Sequence, residues 1–180
     1  MRKPIYFLLG LMILLAGCGG DTRYDSNISV PKGDPPFPPL GISWVIDKAK
    51  ILSDSVMVKG DVICQKLKED GIAEVVIVII NSVKHPEDWA THYGRWLGLG
   101  RKGLSVEGGN NGLVWLIRPD AENKMTISVG RGLPRFTTSD YGPIIERVVE
   151  YLNFNNFDRG VTELIMETDQ VLRAIYGSKR

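Results

Sequence analysis

Apolar residues fall along the chain in patterns that predict different structures. A nearly continuous apolar run spans residues 5–15 and is interrupted only by Gly10. A run rich in β-branched residues at 73–80 and an apolar run at 112–117 predict strands that are buried on both faces of a sheet. Residues 124–129 alternate between apolar and polar, which predicts a further strand that pairs with 112–117 as a hairpin.

Four further segments carry apolar residues at the spacing of an amphipathic helix. They predict helices over residues 54–69, 87–97, 140–151 and 158–176. Ser53 and Pro86 precede the first two helices and are residue types favoured at a helix N-terminus. On the second helix Trp89, Tyr93 and Trp96 share one side, which predicts core packing, with a groove for a partner as the alternative.

The predicted elements follow one another as helix, strand, helix, two strands and two helices. Strands that are buried on both faces need helices on each side of the sheet. We therefore predict an α/β fold, a three-layer α/β/α sandwich with a mixed sheet, over residues 42–177. Residues 44–46 are a short apolar segment at its start, and residues 99–111 are predicted to be a long surface loop.

The apolar run near the N-terminus has the surroundings of an export signal. Arg2 and Lys3 precede it, and small residues separate it from Cys18. The run is shorter than the ~20 apolar residues that a transmembrane helix needs. The sequence Leu-Ala-Gly-Cys that ends at Cys18 resembles the bacterial lipobox, which implies cleavage before Cys18 and attachment of lipid to its thiol.

We therefore expect residues 1–17 to be a lipoprotein signal peptide and Cys18 to be the lipidated first residue of the mature chain. The mature protein would be lipid-anchored to a membrane of the bacterial cell envelope and would face outside the cytoplasm, because the lipid chains bury many CH₂ groups in the bilayer. An ordinary signal peptide with a chance cysteine, or an uncleaved anchor, is the alternative.

Residues 18–41 join Cys18 to a stretch rich in proline and glycine that contains few large apolar residues. Its segment 34–39 includes four prolines, and such sequences are extended and semi-rigid. We predict that residues 18–41 form a tether that holds the domain away from the bilayer. A ligand for a proline-recognition domain is the alternative.

The net charge argues against one class of function, and the cysteine content excludes an intrachain disulfide. Removal of residues 1–17 takes two positive charges from a formal net charge of +1 and leaves −1. A near-neutral chain argues against nucleic acid as a partner, since that binding relies on clustered cations. Once Cys18 carries lipid, Cys64 is the remaining cysteine, so no intrachain disulfide can form, and a buried apolar role is expected.

Several enzyme signatures are missing from the sequence. Residues 130–132, Gly-Arg-Gly, resemble the start of a dinucleotide fingerprint, but Arg135 occupies the third glycine position and the segment follows a hairpin strand. The sequence contains no P-loop, nucleophile elbow or paired-cysteine zinc motif. His85 and His92 are the only histidines and lack further ligands at metal-binding spacing, so surface or capping roles are predicted.

Five short motifs in the correct order resemble the TPM-domain family over residues 44–176. The central pair is Asn111-Gly112 before a hydrophobic strand and a second strand that ends in Gly130-x-Gly132-Leu133. The others are the segments at 45–53, 96–100 and 154–160. The resemblance implies a TPM-type α/β/α sandwich that is usually exported and membrane-tethered. It also implies roles seen in relatives: calcium binding, acid phosphatase activity in some plant thylakoid members, and accessory subunits of membrane complexes.

The acidic positions of the family are only partly kept here. Asp47 keeps the first, Pro134 replaces the second, and Ser139 takes the third unless a one-residue shift places Asp140 there. Asp47 and Asp140 are therefore the candidate ligands of a weak Ca²⁺ site, which would need several more oxygen ligands. The alternative for Asp47 is a cap or turn residue before the first helix.

An anion site is the second candidate. Arg131, with Arg118 and Arg135, lies near the same strand ends and could meet a phosphate or carboxylate, although solvated loop charge is the alternative. We expect a binding or accessory module for an envelope or membrane complex, with a protein partner and the membrane as partners. A divalent-metal-dependent phosphatase that uses Asp47 and Asp140 for metal and Arg131 for phosphate is the alternative.

Overall fold

The computed structural model describes residues 24–100 and 109–177, so the predicted signal peptide, Cys18 and part of the loop at 99–111 lie outside the described residues. The elements, in chain order, are β1 (Val45–Asp47), α1 (Asp54–Glu69), β2 (Glu74–Ile79), α2 (Pro86–Leu97), β3 (Gly112–Ile117), β4 (Met125–Val129), α3 (Thr138–Asn153) and α4 (Phe157–Tyr176). The four predicted helices and three predicted strands are confirmed.

The sheet is mixed and has the strand order β1-β2-β3-β4. The first three strands are parallel, and β4 runs antiparallel to β3 as the second strand of the predicted hairpin. One row of the register joins Asp47, Ile79, Ile117 and Met125 across the sheet. We call the end of the sheet that contains this row the Asp47 end. At the opposite end of the strands Gly130 follows β4 beside Gly112, and we call it the Gly130 end.

Helices cover both faces of the sheet, which confirms the three-layer α/β/α sandwich. The helix α1 packs on β1 and β2, α4 packs against α1, and α3 packs on α4. The helix α2 lies on the other face over β3 and β4. No helix in the described part of the chain is long and apolar enough to cross a bilayer.

The strand β1 is an element that the sequence pattern did not reveal. It has three residues at the sheet edge, too few for a period to be visible, and Val45 pairs with Ile77 of β2. The Asp61 carboxylate of α1 fixes it by accepting hydrogen bonds from the backbone N–H groups of Trp44 and Val45 at 2.6 and 2.9 Å.

The predicted tether over residues 18–41 is wrong for residues 24–41, which pack onto α2 and which we call the strap. Phe37 and Leu40 of the strap are buried in the core. The proline-rich backbone offers free carbonyls: Trp89 Nε1 donates to Pro35 O at 2.9 Å, and the Tyr93 hydroxyl donates to Pro38 O at 2.9 Å. The packed domain therefore extends before residue 42.

The aromatic side of α2 is core, as predicted, and its cover is the chain's own strap. Tyr24 stacks on Trp96 with ring centroids 4.3 Å apart, and Phe37 contacts the rings of Trp89 and Tyr93. Trp89 and Tyr93 are fully buried. The strap therefore covers the aromatic side of α2.

Candidate functional site

The Asp47 carboxylate organises the loop between β1 and α1. Its Oδ1 accepts a hydrogen bond from Lys50 N at 2.8 Å, and its Oδ2 accepts from Ile51 N at 2.7 Å and Leu52 N at 2.8 Å. Lys50 has a positive φ of 58°, a conformation that costs energy in a residue other than glycine, so these bonds hold a tight turn. Asp47 thus has the turn role that the sequence left as the alternative to metal binding.

Asp140 caps α3. Its Oδ2 accepts hydrogen bonds from Thr137 N at 2.7 Å and from the Thr137 hydroxyl at 2.9 Å, and together with the bond from its own backbone these form a capping box. Ser139 lies beside it, with its hydroxyl 2.8 Å from that of Thr137. The Asp140 carboxylate therefore stabilises the N-terminus of α3.

Asp47 and Asp140 lie near opposite ends of α4, so the structure does not bring the two predicted Ca²⁺ ligands together. The loop after Asp47 meets the start of α4, where Asp158 accepts a hydrogen bond from Ser53 N. The segment before Asp140 meets the end of α4, where the Tyr176 hydroxyl is bonded by Arg135 N. These two ends of α4 are about 27 Å apart at the helical rise per residue. No group of three or more metal-ligating side chains occurs within residues 24–100 and 109–177.

The Gly130 end explains the glycines of the family motif. Gly130 N donates to Gly112 O at 2.8 Å, and Gly132 N donates to Asn110 O at 3.0 Å. A Cβ on Gly130 would lie 2.1 Å from Asn110 O, and one on Gly132 would lie 1.7 Å from Gly109 O. The motif glycines therefore allow two backbone segments to approach so closely that no side chain would fit between them.

A second part of the motif ties this end to the loop before β2. Asn111 Nδ2 donates to Ile72 O at 3.1 Å, and Asn110 adopts a positive φ of 51°, which asparagine tolerates better than most residues. Asn111, Gly112, Gly130 and Gly132 are brought together as the motif predicted. Their common role is to shape the backbone rather than to supply reactive groups.

A cleft of about 160 Å³ opens at this end, between the last turns of α2 and the end of β4. It is lined by Thr91, Gly94, Arg95, Leu99, Asn110, Gly112, Val114, Ser128, Val129, Gly130 and Arg131. Arg95 and Arg131 are exposed and form no ion pair within the part of the chain that the structure describes. None of the described lining residues is acidic, so the cleft presents positive charge to solvent.

The three predicted anion-binding arginines are not together. Arg131 lines the cleft. Arg118 follows β3 at the Asp47 end, where its buried guanidinium donates to the carbonyls of Val83 and Asn123 and so fixes two loops. Arg135 lies over the Tyr176 ring at 4.6 Å. Arg95 is the cleft cation that the sequence analysis missed, because it belongs to a helix far away in the sequence.

The groups that could act as nucleophile or base are not arranged for catalysis in the cleft. The hydroxyls of Thr91 and Ser128 lie 3.2 Å apart and bond to each other. His85 pairs with Asp34 of the strap at 3.1 Å, outside the cleft. Burial raises the pKa of the Cys64 thiol to about 12, with smaller contributions from nearby carboxylates, so this buried cysteine is inert as expected.

Solved structures with the same fold come from several bacteria. The N-terminal domain of a protein from P. gingivalis is 22% identical, with a TM-score of 0.64 over 74% of this chain and 84% of that one. The N-terminal domain of the cg2496 protein from Corynebacterium glutamicum is 17% identical, with a TM-score of 0.55 over 84% and 92%. The BA42 protein from Bizionia argentinensis is 13% identical, with a TM-score of 0.53 over 71% and 85%.

At these identities the likeness shows the fold alone. No curated protein matches the chain in sequence. The model of the TPM domain matches residues 45–171, which contain all four strands and most of the helical residues. Since this match covers more than half of the sequence, the chain belongs to the TPM domain family.

Proposed function

We propose that this protein is a lipid-anchored, extracytoplasmic binding module that recognises an anionic group of an envelope or membrane complex. The observation that carries the proposal is the cleft at the Gly130 end, with two exposed arginines and no acidic residue in its described lining. Cys18 provides the membrane attachment expected from the lipobox resemblance.

The chemistry of the cleft fits an oxyanion such as a phosphate or a carboxylate. Arg95 lines the cleft from α2 and Arg131 from the turn after β4, and guanidinium groups form directional paired hydrogen bonds with oxyanions. Both arginines are exposed, so each ion pair is weak in water. A dissociation constant on the order of a millimolar is expected for a small anion in solution.

Attachment to a membrane makes such weak binding useful. A domain held by a lipid at Cys18 meets a partner in the same membrane at a high effective concentration. A weak, charge-selective site then suffices for an accessory role. A free soluble domain with the same cleft would find the same partner far less often.

A metal-dependent phosphatase gains no support from the geometry. That alternative required Asp47, Asp140 and Arg131 to act on one phosphate, yet Asp47 lies at the opposite end of the sheet from Arg131. Both carboxylates are engaged by backbone groups. In the described cleft, the hydroxyls also lack an adjacent general base of the kind that activates a nucleophile.

Equilibrium dialysis of radiolabelled inorganic phosphate against the purified lipoprotein in detergent tests the proposal. We expect weak, saturable binding that the Arg95→Gln and Arg131→Gln double variant loses. The matched control replaces Lys48 and Lys59 by glutamine, which removes the same charge from exposed positions outside the cleft. Equal binding by all three proteins would contradict the proposal.

A hydrolysis assay on the same samples addresses the alternative. We expect no turnover of p-nitrophenyl phosphate, with or without Ca²⁺ or Mg²⁺. Metal-dependent turnover that Asp47→Ala abolishes would contradict the binding-module proposal and support a phosphatase.

A further inference from the structure

The chain enters the domain at the same end as the cleft. Asp25 N donates to Trp96 O at 2.8 Å, and the Tyr24 ring stacks on the Trp96 ring. Trp96 directly follows Arg95, which lines the cleft. The first described residues of the strap are therefore fixed at the C-terminal end of α2, beside the Gly130 end of the sheet.

The distance between this point and the expected lipid is short. Six residue steps separate Cys18 from Tyr24, and a fully extended chain of that length spans at most about 21 Å. A tether that ran to residue 41 would have let the domain tumble freely. The packing of the strap onto α2 leaves the domain close to the bilayer, with the Gly130 end nearest the anchor.

Two carboxylates near this end lie beside cations of the chain. Asp70 pairs with Lys66 and Arg173, each at 2.7 Å, and Glu74 lies 3.9 Å from Lys68 and accepts a hydrogen bond from Gly100 N. The cleft arginines have no such partner among the described residues. The surface that faces the anchor thus carries positive charge that a nearby anionic surface would attract.

We propose that the anionic group bound at the cleft is the phosphate of lipid headgroups in the membrane that anchors Cys18. The cleft then docks the domain onto the bilayer by its Gly130 end and directs the Asp47 end away from the membrane. This inference rests on the proposed function, because it needs both the lipid anchor and an anion-binding cleft. It commits to the lipid surface rather than to an acidic protein as the ligand.

Energy transfer to headgroup-labelled lipid tests this orientation in the full lipidated chain. A fluorophore is placed at Pro134→Cys near the Gly130 end or at Glu122→Cys in the β3–β4 turn at the Asp47 end, both exposed positions. Cys64 does not take the label, since it is buried. The protein is reconstituted in vesicles of phosphatidylcholine alone, or with about one third phosphatidylglycerol to give an anionic surface.

We expect transfer from position 134 to rise in the anionic vesicles and to fall again in high salt, while transfer from position 122 falls. Loss of each arginine should lower the ratio of docked to undocked protein about fivefold, so the Arg95→Gln and Arg131→Gln pair should abolish the response. The Lys48→Gln and Lys59→Gln control should keep it.

The other outcomes separate the two proposals. Transfer that is equal in both vesicle types, in a protein that still binds inorganic phosphate at the cleft, would overturn the lipid inference and leave an acidic protein partner as the ligand. Loss of phosphate binding as well would overturn both proposals. A lipid response that survives in the double arginine variant would assign docking to another surface and would also contradict the inference.

Discussion

The two ends of this sheet use the motif residues of one family in opposite ways. At the Asp47 end the charged groups are turned inward: the Asp47 carboxylate accepts three backbone hydrogen bonds, and the buried Arg118 donates to loop carbonyls. At the Gly130 end the motif residues are glycines that let two backbone segments touch, and two arginines remain exposed beside a cleft.

A charged motif residue is therefore a candidate ligand only when its hydrogen-bonding capacity is not already used within the fold. The sequence makes Asp47 a candidate metal ligand. In the structure its two carboxylate oxygens already accept hydrogen bonds from three backbone N–H groups. Arg131 is an anion-binding candidate in the sequence, and its exposed guanidinium in the cleft still has capacity for a ligand.

Substitution of a motif glycine should have the largest effect. Gly132→Ala places a Cβ 1.7 Å from Gly109 O, which forces the backbone apart, and we expect a loss of about 3 kcal/mol in the free energy of unfolding. Urea unfolding followed by circular dichroism measures it. Gly142→Ala is the control, because nothing lies within 4 Å of its added Cβ in α3 and helix propensity favours the change. Equal stability of both variants would remove the close-approach explanation.

Loss of the Asp47 carboxylate should have the second largest effect on stability. Asp47→Ala leaves three amides without their acceptor, and we expect a cost of about 2 kcal/mol in the free energy of unfolding. Asp47→Asn should cost less, since one acceptor oxygen remains. The test is thermal unfolding with and without Ca²⁺. A stabilisation by Ca²⁺ that disappears in Asp47→Ala would show that this end holds a metal after all.

Acid should weaken the Gly130 end through Asp70. Hydrogen bonds from Lys66 and Arg173 lower the pKa of its carboxyl from 3.8 to about 2. A lowered pKa contributes stability above the unfolded value, and this contribution is lost as pH falls from about 4 through 2. Arg173→Gln should therefore flatten the pH dependence of the urea midpoint in that range. Lys59→Gln, an exposed cation on α1, should leave the slope as in the wild type.

The cleft arginines should affect stability least of all. Arg95→Gln and Arg131→Gln remove exposed charges without described ion pairs, so each should change the free energy of unfolding by less than about 0.5 kcal/mol. Differential scanning calorimetry provides the comparison with the wild type. A loss of several kilocalories would mean that these arginines support the fold, as Arg118 does, and would end their assignment as ligand-binding groups.

The sequence predicted most of the fold because its signals there are long and regular. Helix α4 covers twenty residues with a continuous apolar stripe, and β2 and β3 lie within uninterrupted apolar runs. The strand β1 was not predicted, because its three residues are too few to show a period. The packing of the strap was not predicted, because its many prolines are typical of an extended tether. Its burial depends on two side chains, Phe37 and Leu40.

The site was less accessible to sequence reasoning because it depends on which ends of elements meet. Arg131 and the motif glycines could be found from one local stretch. Arg95 joins them only because α2 lies over β4, and Asp140 is separated from Asp47 only because α4 runs the length of the domain between them. Both facts belong to the tertiary packing, which no local spacing encodes.

The most direct test of this account follows both ends in one experiment. Amide resonances of the isotope-labelled protein in detergent are recorded during separate titrations with inorganic phosphate and with Ca²⁺. We expect phosphate to shift the resonances of Asn110, Gly130 and Arg131, and we expect neither ligand to shift those of Lys50, Ile51 and Leu52. Saturable shifts confined to the loop after Asp47 would contradict it and place the binding site at the opposite end of the sheet.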